Sequence, residues 1–69
     1  MAAATEITAS DKLKCVEREL AYRYRVYARR VDNGKMTQKQ ADREIQLMEE
    51  IAADYTAMVR VLGEKDLLL

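Results

Sequence analysis

The residues best suited to chemistry in this sequence are the arginines and tyrosines gathered in the segment 18–30. Arginine binds carboxylate or phosphate groups through two parallel hydrogen bonds and stacks on aromatic rings. Arginine and tyrosine also contribute most strongly to binding at protein interfaces. The candidate partner- or ligand-binding residues are therefore Arg18, Tyr22, Arg23, Arg25, Tyr27, Arg29 and Arg30, with Glu44 from the second half of the chain.

Three interpretations of this segment remain open from the sequence. It can be a solvated basic face with two tyrosines in the core, a docking surface for another protein, or a site for a phosphate-bearing ligand. A net charge of zero argues against general DNA binding, which relies on counterion release across a broad basic surface. Two copies related by symmetry would double the arginine cluster and build an anion pocket.

The sequence offers little to catalysis or to metal binding. It has no histidine, the usual catalytic base, and its one cysteine, Cys15, makes neither an intrachain disulfide nor a structural zinc site. The run Gly34-Lys35-Met36-Thr37 matches the end of a phosphate-binding loop but lacks the earlier glycine and a preceding strand. We expect no enzyme activity, no catalytic residue, no cofactor and no metal.

The segment that carries these side chains has the pattern of an amphipathic helix over 10–32. Thr8 or Ser10 can cap its start, and Asn33-Gly34 supplies the left-handed conformation that closes a helix. Its apolar residues recur at steps of three and four and fall on one stripe, made of Leu13, Val16, Leu20, Tyr24, Tyr27 and Val31.

A second helix is predicted over 37–62, because Thr37 and Gln40 form a capping-box pattern and Gly63 can end it. The loop of about five residues makes the helices antiparallel neighbours, with paired residue numbers adding to about 68. The apolar face of the second helix spans roughly 140°, wider than one neighbour can cover. We expect it to leave Ile51, Met58 and Leu62, or their neighbours, partly exposed in a single hairpin, and such an apolar strip marks an interface.

We therefore predict an all-α fold, an antiparallel two-helix hairpin that assembles into a homodimeric four-helix bundle. A chain of 8.0 kDa buries little surface and needs an additional source of stability, such as a disulfide, a metal or oligomerisation. Oligomerisation is the one that its composition allows. The hairpin occupies 10–63, between a flexible arm over 1–9 and a tail over 64–69 whose Leu67, Leu68 and Leu69 have no assigned role.

Charge is unevenly spread between the two helices. Residues 10–32 carry seven basic against four acidic side chains, and residues 37–62 carry three against five. The two halves can attract each other, or the basic half can bind an anion or an acidic partner. Glu44 falls within the apolar face near Arg23, Tyr24 and Tyr27. It either fixes the register through one of these side chains or orients an arginine or tyrosine for a ligand.

The second half of the sequence resembles a known group of proteins. Val26–Arg30, Gly34–Gln38, Ala41–Ile45, Met48-Glu49 and Ile51 resemble small helical-hairpin proteins of bacteriophages and prophages of Gram-negative bacteria. The resemblance covers about residues 12–56 and excludes the N-terminal arm and the leucine tail. It implies a phage origin and a hairpin fold, but no activity.

The leading hypothesis is a non-enzymatic, phage-derived homodimer that inhibits a host protein, such as a component of antiviral defence. One alternative is a sponge that sequesters a nucleotide or cyclic nucleotide at the Arg/Tyr site. Another is an accessory factor for phage DNA replication or recombination. The sequence has no apolar run of about 18 residues and no secretory signal pattern, so we expect the host cytoplasm and no membrane partner.

Overall fold

The protein is an all-helical hairpin in a computed structural model that describes residues 6–62. Helix α1 comprises Ala9–Asp32 and helix α2 comprises Gln38–Leu62, and the two helices pack against each other. No strand occurs in this range. The predicted two-helix hairpin is confirmed, while Gly63 and the leucine tail lie outside the described residues.

Helix α1 begins one residue earlier than predicted because Thr8, not Ser10, is its cap. The Thr8 hydroxyl accepts a hydrogen bond from the Asp11 backbone N–H, and the Thr8 N–H donates to the Asp11 carboxylate, each at 3.1 Å. This reciprocal pair satisfies two donors that a helix start leaves unpaired. The bond from the Thr8 backbone N–H lowers the pKa of the Asp11 carboxyl, because it favours the charged form.

Helix α1 ends in a Schellman motif at Asn33 and Gly34. The Gly34 N–H donates to the Val31 carbonyl at 3.0 Å, and the Lys35 N–H donates to the Arg30 carbonyl at 2.8 Å. Gly34 has a φ of 72°, in the left-handed region where a Cβ is strained. The glycine therefore sets the chain reversal and fixes where Lys35 leaves the end of α1.

Helix α2 starts with the predicted capping box, although Thr37 itself lies just outside the helix. The Thr37 hydroxyl accepts from the Gln40 N–H, and the Gln40 side-chain oxygen accepts from the Thr37 N–H, each at 3.0 Å. The chain enters α2 directly from the turn, so the last turn of α1 and the first turn of α2 lie side by side.

Contacts between the helices show their relative direction. Arg23 hydrogen-bonds the Glu44 carbonyl, and the Lys12 ammonium lies 5.8 Å from the centre of the Tyr55 ring. The residue numbers of each of these pairs add to 67, close to the predicted sum of about 68, as antiparallel helices require. The prediction that the two helices pack as antiparallel neighbours is confirmed.

The core between the helices is thin. Of the apolar residues described, Ala41 and Val59 are the ones that are fully buried, and α1 has no fully buried residue. The remaining apolar stripe of α1 is half-buried and consists of Leu13, Val16, Leu20, Tyr27 and Val31. A helix pair with so little buried surface has a small hydrophobic contribution to its free energy of unfolding.

Tyr24 was predicted to belong to the apolar stripe of α1, and this prediction is wrong because its side chain is exposed. It lies at the edge of the stripe, and its hydroxyl donates a hydrogen bond to the Glu49 carboxylate across the hairpin. That bond raises the pKa of the Tyr24 phenol, since the carboxylate stabilises the protonated form. A phenol needs a polar partner for its hydroxyl, and the edge of the hairpin provides one.

Candidate binding surfaces

The predicted Arg/Tyr site is divided between two sides of α1. Four of its members form what we call the outer face, namely Arg18, Tyr22, Arg25 and Arg29. All four are exposed, and Tyr22 has 45% of its surface accessible. The Arg25 guanidinium lies 5.8 Å from the centre of the Tyr22 ring, within cation–π range. The outer face thus presents a ring and three guanidinium groups to solvent.

Arg23 lies on the other side of α1 and links the two helices. Its Nε donates to the Glu19 carboxylate at 3.0 Å, and its second guanidinium nitrogen donates to the backbone carbonyl of Glu44, also at 3.0 Å. The same nitrogen is 3.7 Å from the Glu44 carboxylate. Arg23 therefore makes its contacts within the hairpin and lies apart from the outer face.

Tyr27 lies between two arginines. The guanidinium groups of Arg23 and Arg30 are each 5.7 Å from the centre of its ring. Arg23 is held by Glu19 and Glu44, whereas Arg30 has this ring as its neighbour and no carboxylate partner within residues 6–62. The Arg30 guanidinium therefore lies within cation–π range of the ring, and its hydrogen-bond donors have no acidic partner among residues 6–62.

Glu44 contacts Arg23, as one interpretation of the sequence predicted, but it is not buried in an apolar face. Its side chain remains 46% exposed, while that of Arg23 is 19% exposed. An exposed ion pair of 3.7 Å contributes little to stability. The stronger link is the hydrogen bond from Arg23 to the Glu44 backbone carbonyl, which any residue at position 44 would supply.

A groove of about 680 Å³ opens beside the turn, and we call it the loop groove. The end of α1 contributes Tyr27 and Arg30, the turn contributes Lys35 and Met36, and the remaining lining residues come from α2. These are Thr37, Lys39, Gln40, Arg43 and Glu44. Four of the lining side chains are cationic and one is anionic, so the groove has a formal charge of three positive units.

The basic residues of α2 in the loop groove were missed by the sequence predictions. Helix-face patterns separate Lys35, Lys39 and Arg43 from the arginines of α1, and only the turn brings the two sets together. A signal was nevertheless present for Lys39 and Arg43, which are four positions apart in the second helix. In a helix that spacing places side chains in neighbouring turns on one face. Lys35 lies in the turn before that helix.

An exposed apolar stripe on α2 is the third surface. It consists of Leu47, Ile51, Met58 and Leu62, which fall within roughly 60° of one another at 100° per residue. Ile51 and Met58 are each 40% exposed and Leu62 is 74% exposed. The prediction that Ile51, Met58 and Leu62 would remain partly exposed in a single hairpin is confirmed.

Comparisons with protein-family models, curated proteins and solved structures find no match. Within residues 6–62, neither helix has an apolar stretch long enough to cross a membrane. The same range contains no group of three metal-ligating side chains, and Cys15 is an exposed free thiol.

Proposed function

We propose that this chain is a non-enzymatic, phage-derived homodimer that inhibits a host protein by binding to it, and that it acts in the host cytoplasm. The target we favour is a component of antiviral defence. The observation that carries the proposal is the outer face of α1, where Arg18, Tyr22, Arg25 and Arg29 point away from α2 and none has an ion-pair partner within residues 6–62.

The chemistry of the outer face favours a protein partner. Tyr22 supplies a large, stiff aromatic surface, and Arg25 beside it supplies hydrogen-bond donors that match carboxylates. The face is also convex, since it lies on one helix, and small-molecule ligands bind in concave sites. A convex Arg/Tyr surface is suited to the groove or acidic patch of a folded protein.

The dimer is supported by the exposed stripe on α2. Two hairpins that bring their stripes together would cover Leu47, Ile51, Met58 and Leu62 in both copies and form a four-helix bundle. Because the outer face lies on α1, directed away from α2, such a dimer would present two outer faces. Two equivalent faces would increase the apparent affinity for a partner that is itself dimeric.

The phage origin rests on the resemblance of residues 12–56 to phage and prophage hairpin proteins. That origin is the reason for proposing a host protein as the target. An inhibitor that acts by binding needs a surface and no catalytic residues. An analogy of origin adds no residue to the site.

The proposal is tested by affinity capture from a lysate of a bacterial host, with tagged wild-type protein and the double variant Arg25→Glu, Arg29→Glu. The partner is expected to be captured by the wild type and reduced at least tenfold with the variant, since two buried charge contacts become repulsive. The control is Lys39→Glu, Arg60→Glu, which reverses one exposed lysine and one exposed arginine on α2, away from the outer face of α1.

We expect the wild type and the control to capture the same host protein and the outer-face variant to lose it. The captured protein must then bind purified wild-type protein and lose its own activity upon binding. Equal capture by all three proteins would contradict the use of the outer face, and a bound partner with unchanged activity would contradict inhibition.

A further inference from the structure

The loop groove concentrates positive charge that the hairpin itself does not neutralise. The ion pairs found within residues 6–62 all involve Arg23, with Glu19 or Glu44. Arg30, Lys35, Lys39 and Arg43 therefore have no carboxylate partner in that range, although they surround one space. Cations that surround one space repel one another, and an anion bound between them would relieve that repulsion.

The first turn of α2 adds to the field in the groove. Its capping box uses the N–H groups of Thr37 and Gln40, and the Ala41 N–H donates to the Thr37 carbonyl. The N–H groups of Gln38 and Lys39 lie in the first turn of α2, where the helix provides no backbone acceptor for them. The positive end of the helix dipole thus lies beside the same lysines and arginines, and both attract negative charge.

Two features make the groove a site and not merely a basic patch. Its volume of about 680 Å³ is within the range of small-molecule sites. The backbone around it is also held in place: the Schellman motif sets the backbone of Lys35, and the capping box sets the first turn of α2. A backbone that is already in position leaves only side chains to be ordered when a ligand binds.

We propose that the loop groove binds a compact polyphosphate, either free or as the phosphate chain of a nucleotide. Four cations around one small space match charges that are concentrated on adjacent phosphate groups. The carboxylates of an acidic peptide are instead spread along a chain. Glu44 closes one edge of the groove with a negative charge and so directs the anion toward Arg30, Lys35 and Lys39. This inference does not depend on the outer face.

The proposal is tested by calorimetric titration with sodium triphosphate and, separately, with ATP at physiological ionic strength. We expect saturable binding of triphosphate with one site per chain. The double variant Lys39→Gln, Arg43→Gln should weaken that binding at least tenfold, since two charge-assisted contacts are lost. Circular dichroism should show unchanged helix content, because both positions are exposed and glutamine is a good helix former.

The matched control is Lys14→Gln, Arg60→Gln, which removes the same charges at the other end of the hairpin. Arg60 lies 17 positions beyond Arg43, about 25 Å along the helix at 1.5 Å per residue. That distance is about three Debye lengths at physiological salt. The control variant should therefore change triphosphate affinity less than twofold. An equal loss of affinity in both variants would mean that overall charge, and not the loop groove, attracts triphosphate, and would overturn the proposal.

Nuclear magnetic resonance of the wild-type protein gives a second, variant-free readout. Triphosphate should shift the amide signals of Lys35, Gln38 and Lys39 and leave those of the outer face unchanged. Equal affinity for triphosphate and ATP, or tighter binding of ATP, supports the phosphate chain as the determinant. Absence of shifts at millimolar triphosphate, binding of ATP without triphosphate, or equal binding of a short polyglutamate peptide would each overturn the proposal.

Discussion

Replacing Ile51 and Met58 together by glutamate is expected to turn the protein into a monomer that unfolds at a lower temperature. Both side chains lie on the exposed stripe of α2, each with 40% of its surface accessible in a single hairpin. Covering that remaining surface contributes about 1 to 2 kcal/mol for each side chain at 25 cal/mol per Å². Over four side chains in a dimer, the loss weakens association by a factor of about a thousand or more.

The measurement is the midpoint temperature of thermal unfolding at several protein concentrations. For the wild type the midpoint should rise with concentration, because association stabilises the folded chain by mass action. The Ile51→Glu, Met58→Glu variant should have a lower midpoint that does not depend on concentration. The control is Ala53→Glu, Ala57→Glu, which adds the same charges to exposed positions on a different face of α2. If the control falls as far, helix propensity or net charge is the cause and the stripe is not an interface.

Replacing Arg23 by alanine is expected to cost about 2 kcal/mol of the free energy of unfolding, the largest effect of any polar side chain in the hairpin. A partly buried, charged hydrogen bond to the Glu44 carbonyl is lost, and contributions of that kind run at about 1.5 to 3 kcal/mol. The aliphatic stem of Arg23 also loses its packing. Urea unfolding at one fixed protein concentration measures the change.

Two companion variants separate the causes of that loss. Glu44→Gln removes the exposed ion pair but keeps the backbone carbonyl, so it should cost less than about 0.5 kcal/mol. Arg25→Ala removes an exposed arginine of the outer face and should have a similarly small effect. A cost for Glu44→Gln equal to that of Arg23→Ala would instead assign the stabilisation to the carboxylate and restore Glu44 as the residue that fixes the register.

The helices were predictable because their signals are local. The Thr37–Gln40 capping box, the Asn33-Gly34 reversal and the spacing of three and four along α1 each depend on residues within a few positions of one another. The width of the apolar face of α2 also predicted that Ile51 and Met58 would stay partly exposed. These features require no knowledge of which side chains meet across the hairpin.

The groupings of side chains were less predictable because they depend on the register and on the turn. The contact of Arg23 with Glu44 follows from the antiparallel pairing, but its use of the backbone carbonyl has no sequence signal. Tyr24 has the spacing of a core residue, yet its edge position leaves it exposed. The loop groove joins Arg30 to Lys39 and Arg43, and the sequence predictions considered only the arginines of α1.

One hairpin leaves the apolar stripe of α2 uncovered, and we propose that a second copy covers it. The mass of the purified wild-type protein, by light scattering coupled to size exclusion, tests this dimer directly. We expect twice the chain mass of 8.0 kDa across the micromolar range, with dissociation only on strong dilution. A folded, helical species at 8.0 kDa throughout that range would contradict it.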